Sequence, residues 1–191
     1  MSVNPPLAEL TALVIDGASG PGRIVSSRLS AAGASVAIVT VSDGGSAAYL
    51  SKELTGLGLT ALPYQVDLAD RASLEQLLAD VTQDLGQLHL LVNLLPETAV
   101  AGAGEAETAQ LRMALLDVLA TACRGGRLIL LAGDTPSALG ALAQVRVDTV
   151  EMPQPLPRGW VDPAVPASAH HATANAVLLL LGIPAALPDS F

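Results

Sequence analysis

The stretch "TALVIDGASGPGRI", Thr11 to Ile24, runs from an apolar segment through three glycines into residues of helical character. It reads as a strand, a tight turn and the start of a helix, the unit from which parallel sheets wound with helices are built. The glycines let the chain turn sharply after the strand. The N–H groups of the following helix then offer partial positive charge to a phosphate. Gly17, Gly20 and Gly22, with Ser19 among them, are therefore candidate contacts for a dinucleotide.

The alternation continues outward from this unit. Val-, Ile- and Leu-rich runs at 11–16, 35–40, 61–66, 88–94, 127–132 and 145–150 read as strands. The plainest helix is 70–86, with Asp70 as its cap and Leu74, Leu77, Leu78, Val81 and Leu85 in one stripe. Further helices are expected from Pro21 to Ala32, stopped by Gly33, and from about Glu107 to Cys123. A last helix is expected at 172–182, apolar enough to be mostly buried. The proline-rich segment 151–169 should be an irregular loop near the sheet edge. No internal repeat is visible, and 191 residues suit a single domain spanning 1–191. The expected fold class is α/β, a single Rossmann-like, doubly wound parallel sheet of about six strands.

Hydrophobic residues make up 51% of the chain, yet no apolar run reaches the ~18 residues that a membrane span requires. A net charge of −9 with one lysine would repel the phosphates of nucleic acid. The start, "MSVNPPLAEL", lacks the basic and apolar segments of a secretory leader, so a cytoplasmic location is the expectation. Cys123 stands alone, which excludes an intrachain disulfide, and no Cys/His spacing suits a structural zinc; no metal is expected.

Two more landmarks fall where a dinucleotide fold needs them. "VDLAD" follows the third strand and offers Asp67 as acceptor for an adenine amino group, and "LLVN" ends the fourth strand at Asn93. With the glycine turn, these segments resemble the short-chain dehydrogenases/reductases over residues 10–96. "DGASGPGR" stands for Thr-Gly-x-x-x-Gly-x-Gly, "VDLAD" for the adenine-contacting Asp-Val, and "LVNLLP" for Asn-Asn-Ala-Gly. The likeness is looser through "GGRLILLAG", "VRVDTVEMP" and "ATANAVLLLLG", which are similar to the family's fifth strand, sixth strand and last large helix. The resemblance implies a cofactor half at 1–96, a shortened remainder at 97–191, and NAD or NADP as cofactor. Its contacts would be Gly17, Ser19, Gly20, Gly22, Thr40, Asp67 and Asn93. At the end of the second strand, where the family's acid or arginine chooses between the two cofactors, Thr40 and Val41 encode neither preference.

The departures from the family pattern are as informative. The glycine turn is one residue short, Pro21 has no N–H to give, and Asp16 replaces the family's threonine. A carboxylate there opposes a pyrophosphate by like charge. In the other account, Gly20 and Pro21 simply start a helix well and Asp16 favours its positive end. Dinucleotide binding is accordingly expected to be weak or lost.

In the resembling family a tyrosine donates the proton in carbonyl reduction, its pKa lowered by a lysine four residues later, while a serine orients the carbonyl. This chain has two tyrosines, Tyr49 and Tyr64, and one lysine, Lys52, none of them after the fifth strand. Ala132 and Gly133 occupy the serine's place, and the helix for the pair is reduced to "DTPSALGALAQ". The sheet is expected to lack the family's catalytic helix and last strand. Alternation in "VRVDTV" fits a strand face left uncovered, or an ordinary edge strand. His170 and His171, expected just before the last helix, and Asp134, after the fifth strand, are the remaining catalytic candidates. Each also reads plainly as an exposed helix-start or turn residue.

The functional expectation is a truncated pseudoenzyme of that family. It would be a non-catalytic nucleotide-binding or accessory subunit, meeting a protein partner or a second copy of itself through the face left by the missing helix. One alternative is an NAD(P)-dependent oxidoreductase, or a non-redox enzyme of cyclase or dehydratase type, with a different acid or base. Another is an engineered or deletion-derived minimal form. Nucleic acid and membrane are not expected partners.

Overall fold

The computed structural model describes residues 5–41, 44–68, 70–94, 126–131, 146–150 and 167–183. The helix expected at 107–123, the segment expected to replace the catalytic helix and the place of the family's last strand lie outside them. Six strands are described: β1 (Thr11–Ile15), β2 (Ser35–Thr40), β3 (Ala61–Gln65), β4 (Leu88–Asn93), β5 (Arg127–Leu131) and β6 (Arg146–Val150). Four helices accompany them: α1 (Gly20–Ala31), α2 (Gly44–Gly56), α3 (Arg71–Leu85) and α4 (Ala167–Leu180). All strands pair in parallel, in the order β3-β2-β1-β4-β5-β6. This is the order of a Rossmann-like sheet.

Every residue of β1 is buried because its alternate positions serve two cores. Ala12 and Val14 pack with Val25 and Leu29 of α1, Leu50 and Leu54 of α2, and Val177 and Leu178 of α4. Leu13 and Ile15 pack with Leu74, Leu77 and Val81 of α3. A strand covered on both faces has no use for polar alternation, which is why the sequence shows none there. At one edge, β3 has Ala61 buried and then alternates half-buried and exposed positions. At the other edge of the described sheet lies β6, with Asp148 half-buried; an edge position suffices to explain its alternation.

β2 has the bounds the sequence implies, β1, β3, β4 and β5 end one residue earlier, and β6 starts one residue later. The end of β1 has a clear cause, since Asp16 adopts the left-handed conformation at φ 58 and leaves the extended path. The expected stop of α1 holds, with Gly33 left-handed at φ 98. In α3 the Asp70 carboxylate accepts a hydrogen bond from the Ala72 N–H at 3.0 Å. Its stripe buries Leu74, Leu77 and Val81, with Leu78 and Leu85 packed at the margin.

Two differences concern helices. The sequence pattern announces no helix between the second and third strands, yet α2 forms there. Its leading glycines and small residues hide the amphipathic signal, and tertiary contacts supply what propensity does not. Ala47, Leu50 and Leu54 are buried, and the Ser51 hydroxyl donates to the Ala61 carbonyl at 2.7 Å. The second difference is α4, which begins at Ala167 rather than 172. Residues 167–169 are therefore helical rather than loop, because no Gly or Pro interrupts the chain after Pro166. Nor is α4 buried all round. It buries Thr173, Ala174, Val177 and Leu178, and Arg28 of α1 donates to its Asn175 at 2.9 Å, while Leu179 is 64% exposed.

Asp70→Ala removes the α3 cap and is expected to cost about 1 kcal/mol in urea unfolding. Asp70→Asn should retain most of that stability, and equal losses from both variants would show that the cap bond carries no weight.

Candidate functional site

The order of the sheet reverses between β1 and β4, and in open α/β sheets ligands bind at the carboxyl ends of the strands beside such a point. Ile15 and Asn93 are register partners at this place, and the Leu94 N–H donates to the Ile15 carbonyl at 3.3 Å. The turn from β1 to α1 leaves from here. It is closed by contacts of its own backbone. A Cβ on Gly17 would lie 2.7 Å from the Val14 carbonyl oxygen, and one on Gly22 would overlap the Asp16 carbonyl. The Gly17 N–H donates to the Val39 carbonyl at 3.1 Å, and its own carbonyl accepts from the Ser26 hydroxyl at 2.8 Å. Glycine is thus required at 17 and 22 by the tightness of the turn.

Ser19 is the N-cap of α1 but makes no side-chain cap bond. Its hydroxyl donates instead to the Asp16 carboxylate at 2.6 Å. Burial raises the Asp16 carboxyl from 3.8 to about 6, and the Ser19 hydrogen bond restrains the rise. The sequence reading placed Asp16 near a phosphate or beside a helix start, but it missed this bond. The signal was available in the spacing Asp-x-x-Ser at the entrance to a helix.

The other candidate contacts come from neighbouring strand ends. Thr40 is buried at the end of β2, its hydroxyl donating to the Tyr64 carbonyl at 3.4 Å. Asn93 is buried at the end of β4. Asp67 is exposed after β3, and its N–H donates to the Ser73 hydroxyl at 3.1 Å. The fold therefore brings Gly17, Ser19, Gly20, Gly22, Thr40, Asp67 and Asn93 to one carboxyl edge of the sheet. The backbone suits a dinucleotide, with a tight glycine turn, a helix start without a side-chain cap, and an exposed acid after β3. The Asp16 side chain suits it only when uncharged, since its carboxylate would repel a phosphate.

The catalytic candidates are more scattered. Asp134 lies outside the described residues. His170 and His171 fall inside α4, not before it, and His171 is exposed. Tyr49 is 61% exposed on α2, with the Arg23 guanidinium 6.0 Å from its ring centre. Lys52 is exposed on the same helix. The Tyr64 hydroxyl donates to Asp84 at 2.9 Å. Burial pushes this phenol above its ordinary pKa, and the hydrogen bond and charge of Asp84, with the charge of Asp80, push it further. Away from the carboxyl edge, α1 and α2 flank an apolar groove lined by Ala31, Leu50, Leu54 and Leu57, with Arg23 and Glu53 paired at 2.6 Å. Among the described residues no cluster of His, Cys, Asp and Glu could hold a metal, and no helix is long and apolar enough to cross a membrane.

The sheet order and the glycine turn at its reversal point define a protein of the dinucleotide-fold class. The short chain dehydrogenase family model matches residues 10–118, more than half of the sequence, and the chain belongs to that family. Its fold is similar to hydroxysteroid dehydrogenase from Escherichia coli, at 19% identity and TM-score 0.63, over 78% of this chain and 76% of that one. It is also similar to a dehydrogenase/reductase from Sinorhizobium meliloti 1021, at 25% identity and TM-score 0.56, over 67% of this chain and 55% of that one. A third similar structure is a 7 alpha-hydroxysteroid dehydrogenase complexed with NADH and 7-oxo glycochenodeoxycholic acid. It has 17% identity and TM-score 0.62, over 78% of this chain and 72% of that one. No curated protein matches the sequence at a significant level.

A buried acid whose folded pKa of about 6 exceeds the unfolded 3.8 favours the fold most below pH 4. That contribution is lost as the pH rises through 6. Asp16→Asn should therefore match the parent protein near pH 4 and exceed its stability by about 3 kcal/mol above pH 7. Urea unfolding across that range measures the difference; a constant gap at every pH would assign it to backbone preference instead.

Proposed function

We propose that this chain is a non-catalytic, dinucleotide-binding member of the short-chain dehydrogenase family, acting as an accessory to another protein. One domain spans 1–191. The carboxyl edge holds NAD or NADP through the glycine turn at Gly17, Ser19, Gly20 and Gly22, with Thr40, Asp67 and Asn93 around the adenosine half. When bound, the cofactor would supply the hydride chemistry of its nicotinamide. The chain's own residues position it, and none of them offers a proton donor of the family's kind.

The observation that carries this reading is the placement of the two tyrosines. Reduction in the resembling family needs a phenol of lowered pKa beside the nicotinamide. Tyr64 sits on the edge strand β3, hydrogen-bonded to an acid that raises its pKa, and Tyr49 lies exposed on α2. No tyrosine or lysine follows Tyr64 in the sequence. The exposure of His171 in the first turns of α4 supports one second reading, in which His170 or His171 serves as the acid of an unconventional enzyme. The dinucleotide and its partner protein are the common ground for testing both.

Thermal and urea unfolding with NADH or NADPH should show stabilisation of about 2.7 kcal/mol at a hundredfold excess over the dissociation constant. The same preparation should not oxidise NADH in the presence of ketone substrates, and it should form a stable complex with another chain. Cofactor-dependent turnover that His171→Ala abolishes without unfolding the protein would establish the second reading. No stabilisation by either cofactor would remove the dinucleotide from the first.

A further inference from the structure

We propose that Asp16 makes dinucleotide capture proton-linked: the turn accepts the pyrophosphate when the Asp16 carboxyl is protonated and repels it when the carboxylate is ionised. The inference rests on the dinucleotide reading above and adds to it the condition under which the turn can bind.

Geometry fixes the acid in this role. Asp16 is held at φ 58, an uncommon conformation for a residue other than glycine. Its carbonyl fills the space that a side chain at Gly22 would need, so Asp16 is packed against the start of α1. The carboxylate accepts the Ser19 hydroxyl at 2.6 Å. This bond turns the N-cap side chain back into the turn instead of onto the first N–H groups of α1. Ionised, the pair places a negative charge at the helix start and uses the serine's proton. Protonated, Asp16 can donate to Ser19, and the serine O–H is then free to turn toward a phosphate oxygen.

No other described charge performs this function. On α1, Arg23 turns to Glu53 of α2 at 2.6 Å and Arg28 to Asn175 of α4 at 2.9 Å. The strands β2 and β4 end in the uncharged Thr40 and Asn93. Asp67 after β3 is exposed, and burial and Ser19 are the influences on Asp16. His89 lies at the opposite end of the sheet, its Nδ1 accepting from the Thr11 N–H at 3.1 Å. His171 of α4 is exposed. The titration that matters to the turn is therefore that of Asp16.

The test is calorimetric titration of NAD+ into the parent protein, Asp16→Asn and Asp16→Gly at pH 5.5 and 7.5. Asparagine and glycine both tolerate the left-handed backbone, which keeps the variants folded. The parent protein is expected to bind at least about tenfold more tightly at pH 5.5, as for uptake of one proton on binding. Both variants should bind with the same affinity at the two pH values, matching the parent protein at pH 5.5. If parent and variants all bind alike at both pH values, the proposal falls while the dinucleotide reading stands. If the variants keep the parent's pH dependence, another group is responsible and the proposal is overturned. If none binds NAD+ at either pH, the dinucleotide reading fails and this proposal fails with it.

Discussion

The Asp16 carbonyl fills the space that any side chain at Gly22 would need, and this is the constraint on which the rest of the arrangement depends. It sets the angle at which α1 leaves β1, because neither partner can retreat. A side chain at 22 would collide with backbone, and Asp16 is already in the left-handed region. From that angle, Val25 and Leu29 reach Val14 and its neighbours in the core. Arg28 comes within 2.9 Å of Asn175 and ties α4 to the same layer. The crevice at the reversal of the sheet is a by-product of that geometry, since the turn must lie at the carboxyl ends of β1 and β4.

The same turn carries the main conflict in the molecule. Burial opposes the charge on Asp16, and the Ser19 hydroxyl only partly offsets it. A turn built solely for stability would have an uncharged residue there. The family's pattern, as the sequence resembles it, has threonine. Keeping the acid costs stability above pH 6 and places charge at a helix start that would otherwise attract phosphate. Structure and electrostatics thus pull the same residue in opposite directions, which is the circumstance in which a local rule is broken for a reason other than folding.

The two phenols lie away from the point where the sheet order reverses. The elements that hold a dinucleotide in this fold lie between β1 and β4. The described sheet continues on the other side of β1 with β4, β5 and β6. Tyr49 and Tyr64 occupy α2 and β3, across β1 from that side. Tyr64 is held away from proton donation by burial and by Asp84.

What the sequence determined by itself is the sheet and its two cores. β1 reads as an apolar run because both faces are covered, and the Leu74, Leu77 and Val81 stripe marks α3 because burial repeats with the helical period. Gly17 and Gly22 were legible as turn residues, although the atoms that exclude a side chain belong to Val14 and Asp16 and appear only on folding. Tertiary structure alone decided α2, whose small residues carry little helical signal until Leu50, Ser51 and Leu54 meet the sheet. It alone placed His170 and His171 inside α4, and it alone paired Ser19 with Asp16. The reason is common to these cases. Periodicity records which side of an element faces the core, whereas the partner of a polar group, and the charge it can bear, depend on what the fold brings within about 3 Å of it.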